Sequence, residues 1–200
     1  MEPIKVIRGT AAPLDRSDVD TDQIIPASWL KRVERTGFGI GLFSAWRESD
    51  PSFVLNRPEF AGASILITGP NFGIGSSREH AVWALTDYGF RAVISPRFGD
   101  IFRNNATKSG LVPIVVSTEF AEALLRAVEQ DPQLEILIDV AERWVSAPAV
   151  GLDHEFPLDE FTQHRLVEGL DDIGLTLRHA DKIATYESRR PEWMPQVLTA

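Results

Sequence analysis

The sequence contains no cysteine among its 200 residues. The chain therefore cannot form a disulfide, use a thiolate nucleophile, or supply a cysteine ligand to zinc or an iron–sulfur cluster. Its four histidines are scattered, and no two have the spacing that places a pair of metal ligands on one helix face: His80, His154, His164 and His179. We therefore expect this chain to bind no metal and no cofactor by itself.

Basic residues and long apolar runs are also scarce. Lysine and arginine number 20 against 29 aspartates and glutamates, which gives a formal net charge of −9. Such a charge repels a phosphate backbone, so we expect no nucleic-acid partner. No apolar run approaches the roughly 20 residues that span a bilayer, so we expect no membrane partner either. The first twenty residues lack the basic-then-apolar pattern of a secretory signal, which predicts a cytoplasmic protein.

The middle of the chain alternates two hydrophobic patterns. Short apolar runs predict strands at 64–68, 92–95 and 111–116, and helical stripes predict helices over 77–88, 98–109 and 119–129. This β-α-β-α order favours a sheet with parallel strands.

Further elements flank this core. A strand is predicted at 4–7, a hairpin at 134–140 and 143–146, and helices at 158–168 and 183–189. We predict one α/β domain over residues 1–200, with additional strands at both ends. A glycine-rich segment over about 29–41 predicts a mobile loop whose exposed apolar side chains could close over a substrate.

The stretch NFGIGSSREHA, residues 71–81, follows the first central strand and admits two interpretations. The structural one is a capped helix start, because Ser76 and Glu79 have the spacing of a capping box. The functional one is an anion site, because a glycine turn before a helix presents free backbone N–H groups. Arg78 could then bind a carboxylate or phosphate through two donors, or it could simply be a surface charge or form an ion pair.

Three familiar templates fail on this stretch. The dinucleotide fingerprint and the Gly-x-Ser-x-Gly elbow both need a glycine where Arg78 stands, and the phosphate loop needs a lysine that is absent. The remaining functional interpretation is a site for a small carboxylate, with Ser76 or Ser77 taking part in the chemistry. A helix N-terminus stabilises an alkoxide by at most about 2 kcal/mol, and one pKa unit corresponds to about 1.36 kcal/mol. The helix end alone therefore supplies little more than about one pKa unit. A partner that completes the site would be needed to make the serine an effective base.

The acidic segment Asp18–Asp22 is the second candidate. It lacks the glycine and the closing glutamate of an EF-hand, so calcium binding is not predicted. It is either an acidic turn or a source of one carboxylate, Asp22, that points into a cleft beside residues 71–78. His80 lies four residues after Ser76, and we favour a structural role for it.

These motifs together resemble a known family. The sequence is similar to the small subunits of 3-isopropylmalate dehydratase, the separate swivelling β/β/α domain of the aconitase superfamily. The resemblance spans nearly the whole chain and rests on TDQIIP (21–26), GPNFGIGSSREHA (69–81), FGDIFRNNATKSGLVPI (98–114) and GLDDIGLTL (169–177). One departure is Ile74, where the family often carries a cysteine that is not a cluster ligand.

The resemblance implies a reaction and a partner. The family isomerises 2-isopropylmalate to 3-isopropylmalate by dehydration and rehydration in leucine biosynthesis. It implies a large subunit that carries a 4Fe–4S cluster, which acts as a Lewis acid on the substrate. It further implies that the small subunit closes over this cluster.

The resemblance also implies roles for residues of this chain. Ser76 would be the base that removes the proton alpha to a carboxylate, and Asp22 would be a catalytic carboxylate. Substrate contacts would come from Arg78, Ser77 and Thr21, and from Arg32 and Val33 in the 29–41 loop.

Two alternatives remain open. One is the small subunit of a related dehydratase that acts on homoaconitate or a methylmalate, because those enzymes differ mainly in the 29–41 loop. Val33, Phe38 and Ile40 suit an isopropyl group better than a further carboxylate, although Arg32 and Arg35 lie in the same loop. The other alternative is a non-catalytic module that binds a small carboxylate.

Overall fold

The computed structural model describes residues 1–31, 36–191 and 193–194. In this part of the chain the strands are β1 (Val6–Gly9), β2 (Ala11–Leu14), β3 (Ile65–Thr68), β4 (Ala92–Ser95), β5 (Val112–Val115), β6 (Ile136–Asp139), β7 (Trp144–Ala147) and β8 (Leu152–Glu155). The α-helices are α1 (Thr21–Ile24), α2 (Ser44–Ser49), α3 (Glu79–Tyr88), α4 (Asp100–Lys108), α5 (Thr118–Gln130), α6 (Glu160–Glu168), α7 (Asp172–Leu177) and α8 (Ala180–Glu187).

The central sheet is parallel, in the order β2-β3-β4-β5. Helices α3 and α4 connect its strands, and α5 packs back across β2, β3 and β4. Every residue of β2, β3 and β4 is buried, which explains why β3 and β4 read as continuous apolar runs rather than as alternating patterns. The predicted β-α-β-α unit with parallel strands is confirmed.

A second sheet is antiparallel and joins the two ends of the chain, in the order β1-β6-β7-β8. Strand β6 alternates buried and half-buried residues, as expected for a sheet covered on one face. The predicted hairpin is β6–β7, and β1 pairs with it, so the additional strands predicted at both ends form one sheet. Buried residues of both sheets belong to the same hydrophobic cluster, Ile7 and Ile138 together with Ile65 and Val93 among them.

Several short elements escaped prediction, and β2 shows why. It contains Pro13, which has no N–H to donate to a neighbouring strand. The proline is tolerated because β2 is an edge strand that pairs only with β3. The remaining unpredicted elements are β8, α1, α2 and α7.

The glycine-rich segment differs from the prediction of exposed apolar side chains. Phe38 is fully buried, with its ring 5.3 Å from that of His80 and 5.8 Å from that of Trp83. Phe38 N–H also donates to Asp87 Oδ2 at 2.9 Å, so this part of the segment is fixed on α3. Ile40 remains 73% exposed. Phe38 is therefore unsuited to contact a substrate, because its side chain completes the core instead.

Part of that segment is not described. Arg32 and Val33, predicted as substrate contacts, lie outside the described residues, as do Glu34 and Arg35. None of the described helices is both long enough and apolar enough to cross a membrane.

Candidate functional site

Residues 18–22 and 70–78 lie side by side at one edge of the central sheet. They follow β2 and β3, and the carboxyl ends of neighbouring parallel strands lie at the same edge. The backbones are joined directly, because the N–H groups of Gly73 and Ile74 donate to the carbonyl oxygen of Val19 at 2.7 and 3.2 Å. The two stretches singled out in the sequence are therefore one structural unit.

Thr21 connects this unit to Ser76. Its N–H donates to Ile74 O at 3.0 Å, and its hydroxyl donates to Ser76 O at 2.9 Å. Thr21 is 1% exposed. Its hydroxyl therefore holds the backbone of Ser76 and is not open to solvent for contact with a substrate, as its predicted role would require.

A capping box orients the helix that carries Asp22. Asp20 Oδ1 accepts from Gln23 N–H at 2.8 Å, and Gln23 Oε1 accepts from Asp20 N–H at 2.8 Å. This reciprocal pair starts α1 at Thr21. The sequence signal was present as Asp-x-x-Gln, and it explains why the acidic segment is an ordered helix start.

Arg78 and Asp22 form an ion pair in which Arg78 Nη1 donates to Asp22 Oδ1. The side chain of Arg78 is 17% exposed and that of Asp22 is 53% exposed. A guanidinium has five donors, and within the described residues no other acceptor bonds to those of Arg78. The remaining donors could bind a ligand carboxylate while Asp22 fixes the plane of the guanidinium.

Ser76 and Ser77 are both exposed, and neither hydroxyl has a hydrogen-bond partner within the described part of the chain. The predicted capping box between Ser76 and Glu79 is wrong. Helix α3 begins at Glu79, and its N-cap is Arg78, which makes no side-chain capping bond. Thr21 holds the backbone of Ser76 ahead of the helix, and the Ser76 hydroxyl caps no N–H group in the described part of α3.

This position changes the electrostatics expected for Ser76. The field of a helix terminus falls off within about one turn. Ser76 precedes the first helical residue by three positions, so the dipole of α3 stabilises an alkoxide there less than the capping geometry would. Arg78 is the cation of the same loop, and Asp22 already neutralises part of its charge.

The loop between β3 and α3 packs closely against α4. Gly73 has a φ of +73°, and a Cβ there would lie 2.3 Å from Phe102 Cγ. A Cβ on Gly99 would lie 2.4 Å from Gly73 O. Phe72 packs edge-on against Phe102, with ring centroids 5.3 Å apart, and a β-bridge joins Phe72 to Phe98. The glycines thus let the loop approach an aromatic cluster that the sequence did not reveal.

Two further residues connect the starts of the two segments. Asp18 and Asn71 both have left-handed backbones, with φ of 55° and 62°, and Asn71 Nδ2 donates to Asp18 Oδ1 at 2.7 Å. Asp18 N–H also donates to Pro70 O at 2.9 Å. Aspartate and asparagine tolerate this conformation better than most residues. The pair joins the start of the acidic segment to the start of the glycine loop.

His80 lies just behind the site, on α3. Its ring lies 4.7 Å from that of Trp83 and 5.3 Å edge-on from that of Phe38. This packing supports the structural role predicted for His80.

The chain's own residues do not fit an iron–sulfur cluster, because it has no cysteine. Across residues 1–31, 36–191 and 193–194, no three histidines, aspartates or glutamates are grouped as a metal site.

A well-formed cleft lies elsewhere in the described part of the chain. It has a volume of about 800 Å³ and flanks the glycine-rich segment, where Gly37, Ile40, Arg47 and Tyr88 are among its lining residues. Ser76, Arg78 and Asp22 do not line it. Ser76 and Asp22 are exposed and Arg78 is half-buried, so these three residues lie on an open surface of the described chain.

Comparison with known proteins places the chain in a family. The family model of the aconitase C-terminal domain matches residues 1–119. A second family model, that of the C-terminal domain of the 3-isopropylmalate dehydratase small subunit, matches residues 172–200.

Full-length relatives carry the same name. The chain is 62% identical to the 3-isopropylmalate dehydratase small subunit of a Parafrankia species over 195 residues, 98% of each chain. It is 63% identical to that of Acidothermus cellulolyticus, again over 98% of each. The crystal structure of 3-isopropylmalate dehydratase (leuD) from Methanocaldococcus jannaschii matches with a TM-score of 0.67 and 26% identity, covering 90% of this chain and 99% of that one.

The architecture, the family models and the full-length relatives all agree, and the predicted swivel-domain fold is confirmed. The chain belongs to the 3-isopropylmalate dehydratase small-subunit family of the aconitase superfamily.

Proposed function

We propose that this chain acts as the small subunit of a two-subunit hydro-lyase that isomerises 2-isopropylmalate to 3-isopropylmalate in leucine biosynthesis. Membership of the small-subunit family supports this role. The proposed partner is a large subunit that holds a 4Fe–4S cluster, and the proposed location is the cytoplasm. This chain would supply binding and proton-transfer groups and no ligand to the cluster, which would provide a Lewis acid for the substrate oxygen atoms.

The observation that carries the proposal is the junction of residues 18–22 with residues 70–78. It brings an exposed serine hydroxyl, a guanidinium with free donors and a partly exposed carboxylate to one edge of the sheet. A hydroxy-dicarboxylate needs a cation for a carboxylate and a base beside the carbon that loses a proton. Arg78 and Ser76 provide groups of these two kinds.

In this proposal Arg78 binds a substrate carboxylate through the donors that Asp22 leaves free, and Ser77 contributes a further hydroxyl. Asp22 orients Arg78 and accepts a hydrogen bond from the substrate. Thr21 positions Ser76 and does not contact the substrate. Arg32 and Val33 remain proposed substrate contacts on the strength of the family resemblance.

Ser76, as an alkoxide, would remove the proton alpha to the bound carboxylate and return it on rehydration. A hydroxyl is a weak base, and the helix terminus and a partly neutralised Arg78 do not suffice in water. Desolvation strengthens such electrostatic interactions strongly. A partner surface that closes over the exposed edge would therefore complete the base.

The test is to mix the purified chain with a cluster-loaded large subunit and follow the interconversion of 2- and 3-isopropylmalate. We expect each subunit alone to be inactive and the mixture to isomerise isopropylmalate faster than homoaconitate or methylmalate. A mixture that prefers one of the other acids would move the assignment to a related dehydratase. Tight binding of isopropylmalate by this chain alone, without turnover in the mixture, would instead indicate a carboxylate-binding module.

A further inference from the structure

Exposed apolar side chains are concentrated near the end of the described chain. Four of the ten large apolar residues that are most exposed in the described ranges lie between positions 173 and 193: Ile173 (70%), Leu177 (62%), Tyr186 (64%) and Trp193 (78%). Single exposed apolar residues are ordinary, but four of them in about a tenth of a chain point to a surface that a partner covers. We call residues 172–194, as far as they are described, the C-terminal segment.

The helices of this segment lack a hydrophobic footing on the rest of the chain. No residue of α7 or α8 is buried. Polar contacts lie at both ends of α7: Arg165 Nη2 lies 3.0 Å from Asp172 Oδ1, and Nη1 of Arg178, just after the helix, lies 2.8 Å from His164 Nε2. Helix α8 has eight residues, and an isolated helix shorter than about 12–15 residues is marginal in water. It needs a packing partner.

The segment also differs from the rest of the chain in charge. Residues 172–194 carry four basic and four acidic side chains and are neutral overall, whereas the whole chain has a net charge of −9. A groove of about 370 Å³ opens here, lined by Lys182, Thr185, Tyr186, Arg189, Arg190, Pro191 and Met194. Its apolar floor and basic rim are complementary to an apolar surface with acidic residues around it.

Building on the proposed function, we propose that the C-terminal segment docks onto the large subunit, at an apolar patch with an acidic rim, and forms part of the assembly interface. The family model that matches residues 172–200 is named for the small subunit, whereas the match to the aconitase C-terminal domain covers residues 1–119. A segment characteristic of a separate small subunit favours the large subunit as its occupant. A second copy of this chain fits less well, because a symmetric contact would place the basic rims against each other.

The test measures the dissociation constant of the two subunits by titration calorimetry. Leu177→Glu and Tyr186→Glu each remove an apolar contact and add charge, so each should weaken binding at least roughly ten-fold. The matched control is Val150→Glu, which makes the same kind of change at a residue that is 46% exposed outside the segment. The control should bind like the wild type. Because all three positions are exposed, thermal unfolding of the isolated variants should be unchanged.

A second arm tests the charge. Lys182→Glu with Arg189→Glu should weaken binding most at low salt, and the difference from wild type should shrink as salt rises. At saturating large subunit, the turnover rate of each assembled variant should return to the wild-type value.

Three results would overturn the docking proposal. The first is wild-type affinity in all the segment variants. The second is equal weakening by Val150→Glu. The third is a wild-type homodimer that the segment variants dissociate. If the wild-type chain does not bind the large subunit at all, the proposed function itself fails. Wild-type affinity in the segment variants would instead overturn the docking proposal alone.

Discussion

At the scale of single residues, the site depends on side chains that hold other groups of the site in place. The hydroxyl of Thr21 donates to Ser76 O, and Asp22 holds one donor of Arg78. Sequence patterns identified the chemical groups, because serine, arginine and aspartate side chains carry the chemistry of carboxylate sites. They could not show which hydroxyl is buried, because burial depends on contacts between segments 55 residues apart. We therefore propose that Thr21 is a positioning residue and not a substrate contact.

This role of Thr21 predicts different effects of two substitutions. Thr21→Val removes the bond to Ser76 O while keeping the side-chain shape, and Thr21→Ser keeps the bond. A displaced reactive group can cost roughly 10²-fold in rate. We expect Thr21→Val to lower kcat of the assembled enzyme by about 10- to 100-fold with little change in KM, and Thr21→Ser to restore most of it. A rise in KM alone would instead indicate direct contact with the substrate.

At the scale of elements, the loop between β3 and α3 takes its shape from the aromatic side chains against which it packs. The hydrophobic periods predicted β3 and α3 correctly, because both elements bury a regular apolar pattern. The start of α3 was misplaced because the capping-box pattern competes with the bond from Thr21 to Ser76 O. Phe38 was placed on the surface for a related reason, since glycines beside an aromatic residue do not reveal that Trp83 and His80 receive it.

The glycines of this chain give a direct test of that loop geometry. Gly73→Ala adds both left-handed strain and a clash with Phe102, together about 2–5 kcal/mol of unfolding free energy. Gly62→Ala is the control, because its φ of +82° is similar but its Cβ would meet nothing within 4 Å. It should cost only about 1–2 kcal/mol. Urea unfolding measures both, and equal losses would contradict the packing of Gly73 on Phe102.

At the scale of the whole molecule, some of the many acidic side chains cap the first turns of helices. Backbone donation by Thr162 holds the pKa of Asp159 below its usual range, and donation by Gly174 does the same for the pKa of Asp171. Both aspartates are N-caps, of α6 and α7. The sequence could predict the net charge and the fold class. It could not show which carboxylates cap helices, since the N–H groups that donate to them depend on where each helix begins.

These lowered pKa values predict how stability depends on pH. Each ionised cap stabilises the fold above the unfolded-state pKa of about 3.9, and its contribution is lost as pH falls through the lower folded value. The free energy of unfolding should therefore decrease between about pH 5 and pH 3. A variant with Asp159→Asn and Asp171→Asn keeps capping side chains that do not titrate, so its stability should fall less steeply. Identical pH profiles for the variant and the wild type would contradict this account.

The central claim is that Ser76 provides the base in an active site shared between two subunits. The most direct measurement is the isomerisation rate of Ser76→Ala reconstituted with the cluster-loaded large subunit, beside the exposed control Ser109→Ala. We predict that Ser76→Ala loses about 10²- to 10⁴-fold in kcat, with subunit affinity and thermal unfolding unchanged, and that Ser109→Ala behaves like the wild type. Wild-type turnover by Ser76→Ala would contradict the account.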